Sequence, residues 1–361
     1  MPGPVIVTRT ESVWGVRTII SIICSIVPLI AGGCHYRLGI FGQPLSPWLD
    51  EKQSSGMESD HAMKFGVHLG PQDLSMADMR AAWRRFEELG FEWISVWDHF
   101  YSAAPPFDGE CFEALTSHAA LALETTNVRV GSLVYSTGYR HPTLLAKAGA
   151  TIDHLSNGRL EMGLGAGWHR VEYEAYGLPF EAPAVRLRRM IESVTIIRAL
   201  WSEPTVDFEG EFFTLKEARC DPKPIQKPPR IWIGAHGPRA LALAGAHGDG
   251  WNGSYFSPEE FEEAVQVVKA NAGSRHIVMG VNLGLIGDID AEDREEFLVR
   301  RFGPETAPVQ NAFLAGSPQE VIDRLGRYES AGADWVNIAV RAPIEMDVLE
   351  TFAAEVIPAF R

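Results

Sequence analysis

Apolar positions along the chain switch between two periods. Eight short runs are nearly continuous in apolar character: KFGVHLG (64–70), WISVWD (93–98), VRVGSLVY (128–135), RLEMGLG (159–165), RIWIGA (230–235), GWNG (250–253), IVMGVNLGLI (277–286) and WVNIAV (335–340). Strands covered on both faces, as in a parallel sheet, read this way. Between the runs, apolar residues return at helical spacing. SMADMRAAWRRFEELG opens on Ser75 with Asp78 three residues on, sets Met79, Ala82, Trp83, Phe86 and Leu89 along one face, and closes on Gly90. Ser257 and Ser317 begin two further helices, each with proline next (Pro258, Pro318) and glutamate third (Glu260, Glu320). That arrangement satisfies the free N–H groups of a first helical turn. Residues 142 to 156 and 183 to 201 also carry helical periodicity.

Two stretches interrupt the alternation. VDFEGEFFTL (206–215) alternates about Glu209-Gly210 and predicts a hairpin, while the charged residues 287 to 313 predict a helical insertion. Eight strand and helix pairs from Met63 onward, with these two insertions, fit one (β/α)8 TIM barrel, whose strand-to-helix loops converge on a single rim. An open doubly wound sheet is the competing α/β arrangement, and it does not call for eight pairs.

Residues 1 to 62 read as a separate extension from the barrel of residues 63 to 361. TIISIICSIVPLIAGG (18–33) follows Arg17 like the apolar segment of a signal peptide, and AGGC at 31–34 is similar to a lipoprotein cleavage box. As a helix it would reach about 24 Å, short of the roughly 30 Å hydrocarbon core. The extension is a start assigned upstream of Met57 or Met63, an export signal or anchor, or a disordered arm. The expected compartment is the cytoplasm, or an exported or anchored location if residues 18–34 act as a signal. Past the extension only Cys111 and Cys220 remain, which is no disulfide framework and suits a reducing compartment. Lys plus Arg number 32 against 47 Asp plus Glu, and the net charge of -15 argues against a nucleic-acid partner. No membrane contact is expected of the barrel.

Candidate chemistry gathers at the strand ends. Asp98 and His99 finish an apolar run, where an ionised carboxylate needs a partner, solvent or a ligand. His68, inside the first run, reads more simply as a core histidine. In GSLVYSTGYRHP (131–142) the small residues would allow a bulge beside a flat ligand. In GLGAGWHRVEYEAYG (163–177), glycines allow close backbone approach and Trp168 and His169 would line the space, but the third glycine of G-x-G-x-x-G is missing. Gly234 and Gly237 precede a helix starting near Pro238, whose N–H groups would face an anion such as phosphate. No H-x-H follows the first strand and no H-E-x-x-H occurs, so no metal is expected; nor is there a G-x-S-x-G elbow.

WISVWDHF, YRHPTLLAKAGATIDHLSNGRLEMGLGAGWHRVEYEAYG, FEGEFFTL, PRIWIGAHGPRALALAGAHGDGWN and AGADWVNIAV follow one another in an order that resembles the luciferase-like monooxygenase family, and especially its actinobacterial F420-dependent branch. The resemblance implies a TIM barrel of the bacterial luciferase-like type that binds coenzyme F420, or alternatively FMN, at the strand ends. It implies hydride transfer between the deazaflavin and an unidentified small organic substrate. The alternative is a monooxygenase using reduced FMN and oxygen. Carried over by position, Asp98 would touch the polar edge of the ring and His99 would face the reacting carbon as proton donor or acceptor. Ser132-Leu133 matches the place of a non-prolyl cis peptide behind the ring. Ala166, Gly167 and Trp168 match the loop gripping the ring and its side chain, and Ala235, His236, Gly237 and Pro238 match the phosphate loop. Arg140, His141 and Arg170 are candidate contacts for the glutamate tail of F420. Trp168 stands where sugar-phosphate dehydrogenases of this superfamily carry a catalytic glutamate, which argues against that substrate. A homodimer is compatible with the family likeness.

Overall fold

In the computed structural model, which describes residues 62–103, 109–289, 291–302 and 311–361, eight parallel strands close into a ring. They are β1 (Lys64–Leu69), β2 (Trp93–Val96), β3 (Arg129–Ser132), β5 (Leu160–Gly165), β8 (Arg230–Gly234), β9 (Gly250–Ser254), β10 (Val278–Leu285) and β12 (Trp335–Val340). Each pairs with the next, and β12 returns to β1 with Trp335 opposite Lys64 and Val340 opposite Leu69. Every one of the eight apolar runs supplies a barrel strand. Beyond β3, the short β4 (Tyr135–Ser136) continues along β5, and β11 (Phe313–Leu314) adds to the end of β10. The expected hairpin is present as β6 (Val206–Glu209) and β7 (Thr214–Ala218), antiparallel to one another.

The helices form where their caps were read. Helix α1 (Met76–Glu88) starts with the Asp78 N–H donating to Ser75 Oγ at 3.1 Å and buries Met79, Ala82, Trp83 and Phe86. Helix α2 (Ala114–Glu124) has no Ser, Thr, Asn or Asp at its cap and was not foreseen; Glu113 takes that place, its carboxylate accepting from Thr116 N at 2.7 Å. Next come α3 (Pro142–Leu155), the single turn and a half of α4 (Arg170–Ala175), α5 (Pro183–Ser202) and α6 (Pro238–His247). Helices α7 (Pro258–Ala270) and α9 (Pro318–Ser330) both close their capping boxes. The charged insertion contains α8 (Ala291–Phe302), and α10 (Met346–Thr351) leads into the C-terminal turns. Contacts gather His61–Arg361 into one unit. The expectations for the N-terminal extension lie outside the described residues, apart from residue 62 at its end. Among the described residues no helix is long and apolar enough to cross a membrane.

The interior of the ring decides which end a ligand can use. Trp93 and Trp335 open their strands, and with Trp232 they pack ring on ring, Trp93 lying 4.8 Å from Trp232 and 5.5 Å from Trp335 between centroids. Such pairs add about 0.5–1.5 kcal/mol each beyond their area, and Trp93 and Trp232 are fully buried. The Trp232 indole N–H donates to buried Glu161 at 2.6 Å, and Glu161 is in turn paired with Arg129 and Arg230. This aromatic plug fills the amino-terminal end of the barrel, so the accessible chemistry lies at the carboxyl ends of the strands.

Candidate active site at the carboxyl ends of the strands

Strand β2 delivers Asp98 and His99 to this rim. Asp98 is only 4% exposed, and its carboxylate is satisfied by the protein. Arg140 donates from Nη1 to Oδ2 at 2.6 Å and from Nη2 to Oδ1 at 3.0 Å, and Ser136 N adds a bond to Oδ2 at 3.0 Å. Burial pushes the Asp98 carboxyl above its ordinary value against the pull of Arg140. Burial works against the Arg140 charge too, yet Asp98 and then Glu113 hold it above the usual arginine value. Asp98 thus has both oxygens engaged by the protein's own donors, and Arg140 is bound to two carboxylates. A carboxylate this deeply buried requires such a partner.

His99 is held by a residue that the sequence did not single out. Its Nδ1 lies 2.8 Å from Oε2 of Glu172, which is wholly buried on α4. Tyr139 OH donates to the same oxygen at 2.7 Å, and His169 Nδ1 stands 3.2 Å from it. The other oxygen, Oε1, accepts from Phe100 N at 2.5 Å and Tyr101 N at 3.1 Å. Burial alone would raise this carboxyl, but His169, His99 and Tyr139 together hold it far below the usual carboxylate range. Trp168, 53% exposed, stacks on His169 and meets the His99 ring edge-on at 5.5 Å. The Cys111 thiol, pushed up to about 12 chiefly by burial, lies 3.2 Å from the His99 carbonyl oxygen and stays protonated.

Past Ser132 the third strand breaks its ladder. Ser132 is fully buried and its Oγ donates to Gly163 O at 3.0 Å. The non-prolyl cis peptide is Leu133-Val134, one residue past the expected Ser132-Leu133. The reason is local: Leu133 N still donates to Val96 O at 2.8 Å, so the backbone leaves the sheet only after it. Val134 then projects against Gly163, Gly165 and Gly234; a Cβ at Gly165 or Gly234 would collide with it, and one at Gly163 with the Ser132 carbonyl. Those glycines are the seat of the bulge, and through Val134 they join the ends of β3, β5 and β8.

On the next two loops the predicted residues separate in character. Gly167 (φ 78°) is hemmed in by Tyr173 and Ser136, whose hydroxyls bond one another, while Ala166 packs against the core. In the loop after β8, Ala235 is buried, Gly237 (φ 75°) caps α6, and His236, which stacks on Phe256 at 4.8 Å, is exposed with Gly237 and Pro238. A Cβ on Gly237 would meet nothing within 4 Å. His141 serves as N-cap of α3, and exposed Arg170 pairs with Glu174 at 3.3 Å. His68 is buried, bonded to Ser95 Oγ at 2.9 Å and lowered to about 3, chiefly by burial.

A family model for the luciferase-like monooxygenases matches residues 57–296. The chain belongs to that family. It is 32% identical over 273 residues to a 5,10-methylenetetrahydromethanopterin reductase of Archaeoglobus fulgidus, covering 74% of this chain and 75% of that one. It is 34% identical over 183 residues to an F420-dependent glucose-6-phosphate dehydrogenase of Amycolatopsis mediterranei, covering 50% of this chain and 53% of that one. Among solved structures, an F420-dependent secondary alcohol dehydrogenase in complex with an F420-acetone adduct superposes with a TM-score of 0.73 at 21% identity, over 83% of this chain and 99% of that one. In this luciferase-like barrel the site residue missed in the sequence is Glu172. Its only local signal was the spacing of His169 and Glu172, three residues apart in WHRVEYEAYG, which sets both on one face of a helical turn.

Proposed function

We propose that residues 63 to 361 form an F420-dependent oxidoreductase that moves a hydride between the deazaflavin and a small organic substrate, with His99 giving or taking the accompanying proton. The observation that carries this reading is His99 itself, an imidazole at the end of β2, 12% exposed, gripped by a buried carboxylate and flanked by the Trp168 ring. The F420-dependent glucose-6-phosphate dehydrogenase and secondary alcohol dehydrogenase to which the chain is similar support the deazaflavin over FMN.

The residues present suit such a group. Gly237 leaves open space at the amino end of α6, where N–H groups and the helix dipole favour a phosphate. Ala166, Gly167 and Trp168 would hold the ring and its side chain, and the bulge of Ser132, Leu133 and Val134 would support it from behind. When bound, the coenzyme supplies or accepts a hydride at the central ring carbon. The protein orients the reactants, excludes water and handles the proton. Histidine is the side chain type suited to that last task near neutral pH. The Asp98–Arg140 clamp keeps the wall that carries His99 in place.

Titration of the purified protein with F420 and, separately, FMN, read by fluorescence quenching, tests the reading. Saturable quenching with clear preference for F420 is expected. Preference for FMN replaces the reading with an FMN-dependent monooxygenase.

A further inference from the structure

Resting on the role proposed for His99, we propose that Glu172 is the positioning residue of this site, fixing His99 as the tautomer that carries its proton on Nδ1 and leaving Nε2 as the ring's basic nitrogen. Phe100 N and Tyr101 N can only donate, and both point at Oε1. Tyr139 donates to Oε2. A carboxylate so surrounded stays ionised and has no proton to give, so Nδ1 of His99, 2.8 Å from Oε2, must be the donor. The other groups near His99 leave this charge in command. Asp98 is neutralised by Arg140, His68 is held neutral by burial, and the Cys111 thiol keeps its proton. His169 Nδ1 stands 3.2 Å from the same oxygen.

Glu172→Gln separates this role from a merely structural one. The backbone N–H groups of Phe100 and Tyr101 compel the new amide to turn its oxygen towards them and its NH2 towards His99. Nδ1 must then accept, and the ring proton moves to Nε2. Two-bond 1H–15N spectra of histidine-labelled protein, with the His99 signals assigned by difference from His99→Ala, read this directly and need no coenzyme. The expected result is an Nδ1–H tautomer in the native protein, its replacement by Nε2–H in Glu172→Gln, and its return in Glu172→Asp. In turnover, Glu172→Gln should lower kcat about tenfold to hundredfold, with F420 affinity held within about twofold.

An Nε2–H tautomer in the native protein would overturn the proposal without any variant, so a failure of Glu172→Gln to fold leaves it exposed to test. An unchanged tautomer in folded Glu172→Gln would overturn it as well. If His99→Ala keeps full turnover, the role assigned to His99 falls, while the tautomer result still decides what Glu172 does.

Discussion

The rim of the barrel has two sides built in opposite ways. From β2 to β5 the polar groups are spent on one another: Asp98 on Arg140 and Ser136, Glu172 on two backbone N–H groups, Tyr139 and His99, and Ser136 on Tyr173. After β8 the chain turns through His236, Gly237 and Pro238 with these residues exposed and open space beside the Gly237 Cα. The difference matches the two roles proposed for the rim. A group that must hand over a proton gains from an environment fixed before the substrate arrives, as proposed for the β2 side. A loop that is to wrap a phosphate needs free N–H groups and room, as proposed for the β8 side.

The largest effect expected on this contrast is chemical. His99→Ala should depress turnover by about two to four orders of magnitude, measured under saturating F420. Next is the stability of the preformed wall. Arg140→Met leaves the Asp98 carboxylate buried without its cation, which should cost about 3–5 kcal/mol in urea unfolding. Arg170→Met, which loses an exposed pair with Glu174 and the guanidinium contact over Phe180, should cost no more than about 1 kcal/mol.

Acid should also dismantle the preformed side. His68 is lowered to about 3 and His118 to about 4, both chiefly by burial. Their folded pKa values lie below that of the unfolded chain, so their contribution is fully present above pH 6.5. It is lost as pH falls towards 4 and 3, because the unfolded chain takes up protons that the folded one refuses. The slope is about 1.4 kcal/mol per pH unit for each histidine. Urea midpoints at pH 7, 6 and 5 measure it, and His68→Gln should flatten it. Gly237→Ala, which meets no clash but keeps a left-handed φ, should cost about 1 kcal/mol in the same assay.

What could be read in advance follows from the range of the interactions. The eight strands and the capping boxes at Ser257 and Ser317 are written in stretches of four to ten residues, and they stand where they were expected. The hairpin at 206–218 was equally local. The position of His99 just past the end of β2 was legible because it depends only on where that strand stops. The Asp98–Arg140 clamp spans 42 residues and the His99–Glu172 bond 73. Neither pairing leaves a periodic trace, so nothing in the sequence pointed to Arg140 as the partner of Asp98 or to Glu172 as the partner of His99. The cis peptide was misplaced by one residue because the last ladder bond of β3, from Leu133 N, depends on the neighbouring strand.

On the proposed reading the proton side and the coenzyme side are separate structures on one rim. F420 affinity of His99→Ala and Gly237→Val, measured side by side, tests it most directly. The account predicts that His99→Ala binds F420 within about twofold of the native protein, while Gly237→Val binds about tenfold more weakly, a loss of roughly 1.4 kcal/mol. Equal losses in the two variants, or native affinity in Gly237→Val, would contradict it.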